Sequence, residues 1–200
     1  MPKTKTKTDA SAPKRRRADA ERNISAITNA ALEALASDPD ASMAEIARRA
    51  GVVRATIYMH FPTRESLLDA VMEQATSQVA EAIRSAEPGR GDPAEALERV
   101  LLATWRQLSE FHNILQINMN RLSAKELRRR HLPMTTQIVP LLERGQAEGV
   151  FRSDVSAEWL IAVVRAIVHV ASTELQGGRL SEADVEHTMI TTSFAAIGAR

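Results

Sequence analysis

The sequence predicts an all-α protein with a short N-terminal helical domain and a longer C-terminal helical domain. Apolar residues recur at spacings of three and four through most of the 200-residue chain, which is the period of an amphipathic helix. Helix starts are marked by caps such as Ser42-Met43-Ala44-Glu45 and Asp92-Pro93-Ala94-Glu95. No alternation of apolar and polar residues indicates a β-strand.

Composition excludes several classes of protein. Apolar residues make up 44% of the chain and cysteine is absent, which predicts a globular protein without disulfides or thiolate metal sites. The charged N-terminus is followed by no apolar run, so we expect neither export by a signal peptide nor a membrane span, and a cytoplasmic location. The five histidines show no metal-binding spacing, and we expect neither a metal nor a cofactor.

Residues 1–17 mix Lys, Thr, Ser and Pro without apolar periodicity, which predicts a disordered basic arm. Residues 1–64 contain 12 Lys and Arg against seven Asp and Glu, whereas residues 65–200 contain 14 against 18. This asymmetry indicates that the N-terminal part binds a polyanion. The alternative is that the basic run, Lys14, Arg15, Arg16 and Arg17, is only a solvated tail.

Residues 18–65 are predicted to form three helices. The first begins near Ala18, the second is capped by Ser42, and Gly51 supplies the positive φ of a tight stop. The third places Val53, Ile57 and Phe61 inward and ends at Pro62. Two short helices joined by such a turn make a helix-turn-helix, whose second helix enters the major groove of DNA.

The predicted DNA contacts follow from side-chain chemistry. Arg54 can reach guanine O6 and N7, and Thr56 can touch a base or a phosphate. Phosphate contacts are predicted for Tyr58 and His60, for Ser42 and Arg64 near helix N-termini, and for the basic run at residues 14–17, which can also lie in a minor groove. Tyr58 can instead cap the small core, and His60 can be an ordinary surface histidine.

Residues 44–67, AEIARRAGVVRATIYMHFPTRESL, closely resemble the DNA-binding signature of the TetR family. The family pattern usually has an aromatic residue where this chain has Met59, which leaves its sequence preference open. The family commonly has Lys where this chain has Arg64, which retains a positive charge for a phosphate. The resemblance implies a transcription regulator, a repressor that a small-molecule effector releases from a pseudo-palindromic operator, with activation as the alternative.

Residues 66–200 are predicted to dimerise and to bind the effector. Between Trp159 and Ala171 only Arg165 and His169 interrupt apolar cover around a whole helix, and such a helix must be buried on all sides. A second copy of the chain is the predicted cover, and the resemblance implies a four-helix bundle made by the last two helices of each subunit. The predicted interface consists of Trp159, Val163, Ile167, Val170, Met189 and Phe194. The alternative is a helix wrapped entirely by its own subunit.

Residues 93–150 mix apolar bulk with a few hydrogen-bonding groups, which is typical of small-molecule pockets and also of an imperfect core. We expect Pro133 and Pro140 to interrupt the helix here. The resemblance implies an effector site between the fourth helix and those that follow. The predicted pocket residues are Trp105, Phe111, His112, Asn118, Met119, Gln137, Ile138 and Leu141.

Two other functions compete with this interpretation. An enzyme is not predicted, because the sequence has neither a phosphate-binding glycine loop nor a nucleophile elbow. The second rival is an architectural DNA-binding protein whose C-terminal part only dimerises. An enclosed, partly polar cavity among the middle helices would favour a ligand-responsive regulator over that rival.

Overall fold

The computed structural model describes residues 11–111, 113, 114, 117 and 122–198. The chain divides into two compact units between Val71 and Met72, a few residues beyond the boundary predicted after residue 65. The regular structure of the described residues is helical, apart from an isolated antiparallel bridge between Phe151 and Gly198. The predicted all-α class is confirmed.

The first unit contains α1 (Ser11–Ser37), α2 (Met43–Arg49), α3 (Arg54–His60) and the start of α4 (Arg64–Ser85). Helix α1 begins at Ser11, so the backbone of residues 11–17 is helical where a disordered arm was expected. Lys, Arg and Ala favour helix without any apolar stripe, and Pro13 lies in the first turn, where proline is tolerated. A search for apolar periodicity therefore places this helix start too late.

Each helix of the first unit contributes side chains to one core. Ile27 and Leu35 of α1, Ile46 of α2, Ile57 of α3 and Leu67 of α4 are almost completely buried. Burying an aliphatic side chain of this size stabilises a fold by about 1.5–3 kcal/mol. This small core holds the two short helices α2 and α3, which are only seven residues each and could not form alone in water.

The second unit contains the rest of α4, followed by α5 (Pro93–Glu110), α6 (Ala124–Ala147), α7 (Ala157–Gln176) and α8 (Glu182–Ile197). The Asp92 carboxylate caps α5 by accepting from the amides of Ala94 and Glu95 at 2.8 and 3.1 Å. Ser123, Ser156 and Ser181 cap the three later helices. Helix α7 packs against α5, α6 and α8, and so lies at the centre of the unit.

Pro133 and Pro140 lie inside α6, which continues through both. The expectation that they would interrupt this segment is therefore wrong. Each proline removes one backbone donor, but the packing of α6 against α5 and α7 holds the helix together. The Gln137 amide donates to the carbonyls of Pro133 and Ala80 at 2.8 and 3.2 Å, which ties α6 to α4.

None of the helices in the described ranges is long and apolar enough to cross a membrane. The described side chains also contain no cluster of three or more His, Asp or Glu residues that could hold a metal ion.

Candidate DNA-reading surface and effector cavity

A tight glycine turn connects α2 to α3. Gly51 has φ +68°, a conformation that residues with a Cβ rarely adopt. The Val52 amide donates back to the Ala47 carbonyl at 3.0 Å, and the Gly51 amide to the Arg48 carbonyl at 3.2 Å. This closure satisfies the last carbonyls of α2 in the manner of a Schellman motif, and the chain re-enters a helix three residues later.

Helix α3 buries one side and exposes the other. Ile57 is buried, as is Phe61 at the helix end, whereas Arg54, Ala55 and Tyr58 are exposed and Met59 is 69% exposed. The expectation that Val53 faces inward is wrong, because its side chain is 70% exposed. Val53 is the N-cap, with an extended backbone at ψ 152°, so the helical period that buries Ile57 does not apply to it.

The side chains predicted to read DNA divide into two groups. Arg54 and Tyr58 lie on the exposed face, with the Arg54 guanidinium 5.6 Å from the centre of the Tyr58 ring. That cation–π contact limits the rotamers of Arg54. Thr56 and His60 are half-buried. The His60 Nε2 atom is buried and has no hydrogen-bond partner among the described residues. In this conformation that nitrogen is not accessible to a phosphate.

Ser42 and Arg64 have structural roles at helix ends. The Ser42 hydroxyl accepts the Glu45 amide at 3.2 Å, which confirms the predicted N-cap of α2 and leaves the hydroxyl hydrogen to donate. The Arg64 guanidinium donates to the carbonyls of Ala41 and Pro39, the second at 2.8 Å. It therefore braces the start of α4 against the turn before α2. The side chains of Lys14, Arg15, Arg16 and Arg17 lie outside the described residues.

An apolar cavity of about 90 Å³ lies within the second unit. Its walls come from α4, α5, α6 and α7, and they include Val79, Leu97, Leu101, Phe111, Ile138 and Val164. The polar groups at its edge are few, and among them Thr104 has a buried hydroxyl oxygen with no hydrogen-bond partner in the described part of the chain. A buried hydroxyl without a partner is costly, so this position suits an added oxygen or nitrogen.

A second and larger space, about 440 Å³, shares Met72, Leu108, His131, Arg165 and Val168 with the apolar cavity. It lies between α6 and α7, and its cationic or titratable lining residues are Arg128, His131, Arg165 and His169. We call this space the cationic groove. The two spaces adjoin at their shared residues, and together they have the volume and mixed lining of a small-molecule site.

Two of the predicted pocket residues line these spaces, and the other described ones do not. Phe111 and Ile138 line the apolar cavity. Trp105 and Leu141 are buried but are not among its lining residues, and the Gln137 amide is occupied by the two carbonyls described above. His112, Asn118 and Met119 lie outside the described residues. His131 and Arg165 were not predicted, although the sequence marked Arg165 as a charge interrupting an apolar helix.

His131 connects the two spaces chemically. Its Nδ1 donates to the Leu127 carbonyl at 2.6 Å, because a carbonyl oxygen can only accept. Burial lowers the pKa of the imidazole, and the positive charge of Arg165 lowers it further, against the opposing effect of the Leu127 carbonyl. At neutral pH His131 is therefore uncharged, and its Nε2 carries a lone pair.

Helix α7 also presents an apolar surface to solvent. Trp159 is 60% exposed and Val170 is 57% exposed, and Val163 and Ile167 between them are half-buried. These four residues are the ones predicted on α7 for the dimer interface, and we call them the α7 face. Met189, the residue of α8 predicted first for that interface, is 1% exposed, so its side chain belongs to the core of its own subunit. Phe194 is half-buried on α8.

Comparison with known proteins assigns both units to one group of families. A family described as "Bacterial regulatory proteins, tetR family" matches residues 27–71. Another, described as "Tetracyclin repressor-like, C-terminal domain", matches residues 93–176. The first match covers the helix-turn-helix, and the second covers α5, α6 and α7.

Two individual proteins are similar to this chain in sequence. The HTH-type transcriptional regulator NfxB of Pseudomonas aeruginosa is 25% identical over 158 residues, which are 78% of this chain and 84% of NfxB. The HTH-type transcriptional repressor LfrR of Mycolicibacterium smegmatis is 38% identical over 81 residues, 40% of this chain and 43% of LfrR. The crystal structure of LfrR in complex with proflavine, from Mycobacterium smegmatis, has a TM-score of 0.68 at 24% identity over 90% of this chain and 98% of that one, a likeness of fold.

Proposed function

This chain belongs to the TetR family of bacterial regulatory proteins and is a DNA-binding transcriptional regulator, and we propose that it is a homodimeric repressor released from its operator by a small molecule. The observation that carries the proposal is the exposed face of α3, where Arg54, Tyr58 and Met59 stand on a helix fixed by the Gly51 turn.

Base reading is assigned to the N-terminal half of α3. Arg54 donates to guanine O6 and N7, and the exposed apolar side chains of Val53 and Met59 suit thymine methyl groups. Tyr58, the Ser42 hydroxyl and the basic run at residues 14–17 contact phosphates, which position the helix without reading sequence. Arg64 contributes through its brace on Pro39 and Ala41, and its remaining donors can reach a phosphate.

Dimerisation is supported by the α7 face. A contiguous apolar surface on a soluble protein marks an interaction site, and Trp159 is the kind of aromatic residue that anchors interfaces. A symmetric dimer presents two copies of α3 to successive major grooves, about 34 to 36 Å apart. The operator is then pseudo-palindromic.

The effector site is assigned to the apolar cavity and the cationic groove. Helix α4 contributes Met72 to both spaces, and its first turn carries Arg64. A ligand that binds better when α4 is displaced will lower operator affinity, and coupling of about 1–3 kcal/mol changes that affinity by roughly 5 to 150-fold. The cavity favours a ligand-responsive regulator over the architectural alternative, in which a filled core would suffice.

The test is a footprint on DNA flanking the gene, followed by fluorescence anisotropy with the protected duplex. We expect one protected palindrome, two subunits per site and affinity that falls steeply with salt. Equal affinity for a scrambled duplex would contradict sequence-specific regulation. A monomer that binds the operator as tightly as the native protein would contradict the dimer.

A further inference from the structure

We propose that the effector is an amphipathic organic anion, with its apolar body in the apolar cavity and its acidic headgroup in the cationic groove. This inference rests on the proposed function, because it names the chemical class of ligand for the site assigned there. It predicts a preference for anions over neutral and cationic molecules of the same shape.

The apolar cavity provides for the body of the ligand. Leu97 and Leu101 of α5, Ile138 of α6 and Val164 of α7 lie on its walls. All four are buried within the subunit, so an alkyl or ring group entering this space packs against apolar side chains of three helices. Apolar area removed from water contributes about 25 cal/mol per Å², and this term supplies affinity without specificity for charge.

The groove provides for the headgroup, because its charges are all of one sign. No carboxylate lines it among the residues that the structure describes, whereas Arg128 and Arg165 are both present and both exposed. Neither guanidinium makes an ion pair with the part of the chain that the structure describes. The neighbouring Arg129 and Arg130 differ, since both pair with Glu126, at 2.6 and 2.9 Å.

This contrast on a single helix argues for a ligand. Glu126 pairs with two adjacent arginines of α6, whereas Arg128 lines the groove together with Arg165 of α7. An anion bound in the groove gains charge-assisted hydrogen bonds from guanidinium groups that no carboxylate of the described residues occupies.

The junction between the two spaces offers polar contacts for headgroup oxygens. His131 lines both spaces, and its Nδ1 is committed to the Leu127 carbonyl. An anionic headgroup at this point favours the protonated imidazole, whose Nε2–H can then donate to a headgroup oxygen. Thr104 lines only the apolar cavity, and its buried hydroxyl, which no described residue satisfies, suits a polar atom on the body of the ligand.

Three ten-carbon probes test the proposal, namely decanoate, decanol and decylammonium, titrated into the full-length protein by calorimetry. We expect decanoate to bind at least tenfold more tightly than either of the others. Arg165→Gln should weaken decanoate at least tenfold and change decanol less than twofold, and Arg128→Gln should act in the same direction. Arg90→Gln, which changes an arginine paired with Glu87 outside both spaces, is the matched control and should leave all three affinities unchanged.

The proposal is overturned if decanol or decylammonium binds as tightly as decanoate, if none of the three binds, or if Arg165→Gln and Arg90→Gln bind decanoate equally. Circular dichroism of each variant confirms that the fold is intact. Operator affinity, measured on the same samples without any probe, separates the two claims. Failure of the native protein to bind the operator would contradict the proposed function. Operator binding without any preference for decanoate would contradict this inference alone.

Discussion

The guanidinium of Arg64 donates to the carbonyl of Pro39 at 2.8 Å across 25 residues of sequence, and it also reaches the carbonyl of Ala41. Arg64→Ala removes both bonds and leaves two carbonyls at the turn before α2 without this donor. Hydrogen bonds from charged groups are worth about 1.5–3 kcal/mol, and partial exposure puts the expected loss near the lower figure. Urea denaturation measures this loss of free energy of unfolding. Arg64→Lys should recover only part of it, because an ammonium group lacks the planar fork of donors with which a guanidinium reaches both carbonyls.

Arg54→Ala should weaken operator binding by about 1–3 kcal/mol and relax preference at one base pair of each half-site. The side chain is exposed, so the thermal stability of the protein should not change. Anisotropy titrations against operators substituted at each position measure the effect. Arg22→Ala, on the exposed surface of α1, is the control. An equal loss on every sequence would identify Arg54 as a phosphate contact instead.

Met59→Ala should change which operators are bound without changing folding. The side chain is 69% exposed, and surface substitutions of this kind alter stability by less than about 0.5 kcal/mol. Loss of an apolar contact to a thymine methyl should weaken the preference for thymine over the other bases at one position. Selection from a randomised duplex library reads this out, and an unchanged consensus would exclude Met59 from base reading.

Trp159→Glu should dissociate the dimer and leave the subunit folded. The residue is 60% exposed in the subunit, and truncating a central aromatic of an interface costs about 2 kcal/mol or more. Sedimentation measures the change in dimer dissociation constant. Met189→Ala is the contrasting variant, because it opens a cavity in the subunit core and should lower the free energy of unfolding by about 2–5 kcal/mol. A dimeric Trp159→Glu protein would place the interface elsewhere.

His131 should make the protein less stable in mild acid. Its pKa is lowered in the folded state, first by burial and also by Arg165, from the ordinary value of 6.5. Between that value and the lower folded pKa the unfolded chain binds more protons, so stability is complete above about pH 6.5 and falls as the pH drops through this window. Below the folded pKa the loss levels off. Denaturation at several pH values should show a shallower dependence for His131→Gln, and an identical dependence would contradict the assignment.

The start or end of a helix was predictable from the sequence where a few adjacent residues determine it. The Ser42 cap, the Gly51 turn and the Asp92 cap each depend on a few adjacent residues, and each lies where it was expected. The start of α1 and the continuity of α6 through Pro133 were not predictable in this way. In α1 helix-favouring charged residues carry the backbone without an apolar stripe, and in α6 contacts with other helices outweigh the lost amide.

The DNA-reading side chains were predictable because one helix carries them. Arg54 and Tyr58 are one turn apart on α3, so the period of a helix places them together. His131 and Arg165 come from different helices, and only packing brings them to one groove. Met189 shows the converse limit, since an apolar stripe on α8 has the same pattern whether its own subunit or a partner covers it.

The residues that line the cavity and groove begin at Met72, and the exposed face of α3 ends at Met59. No described residue belongs both to the lining of these spaces and to the exposed face of α3. Mutation can therefore alter the response to a chemical signal while the preferred promoter stays the same, or retarget the promoter while the signal stays the same. A duplicated gene encoding this architecture can acquire a new physiological role by changing only one segment of its coding sequence.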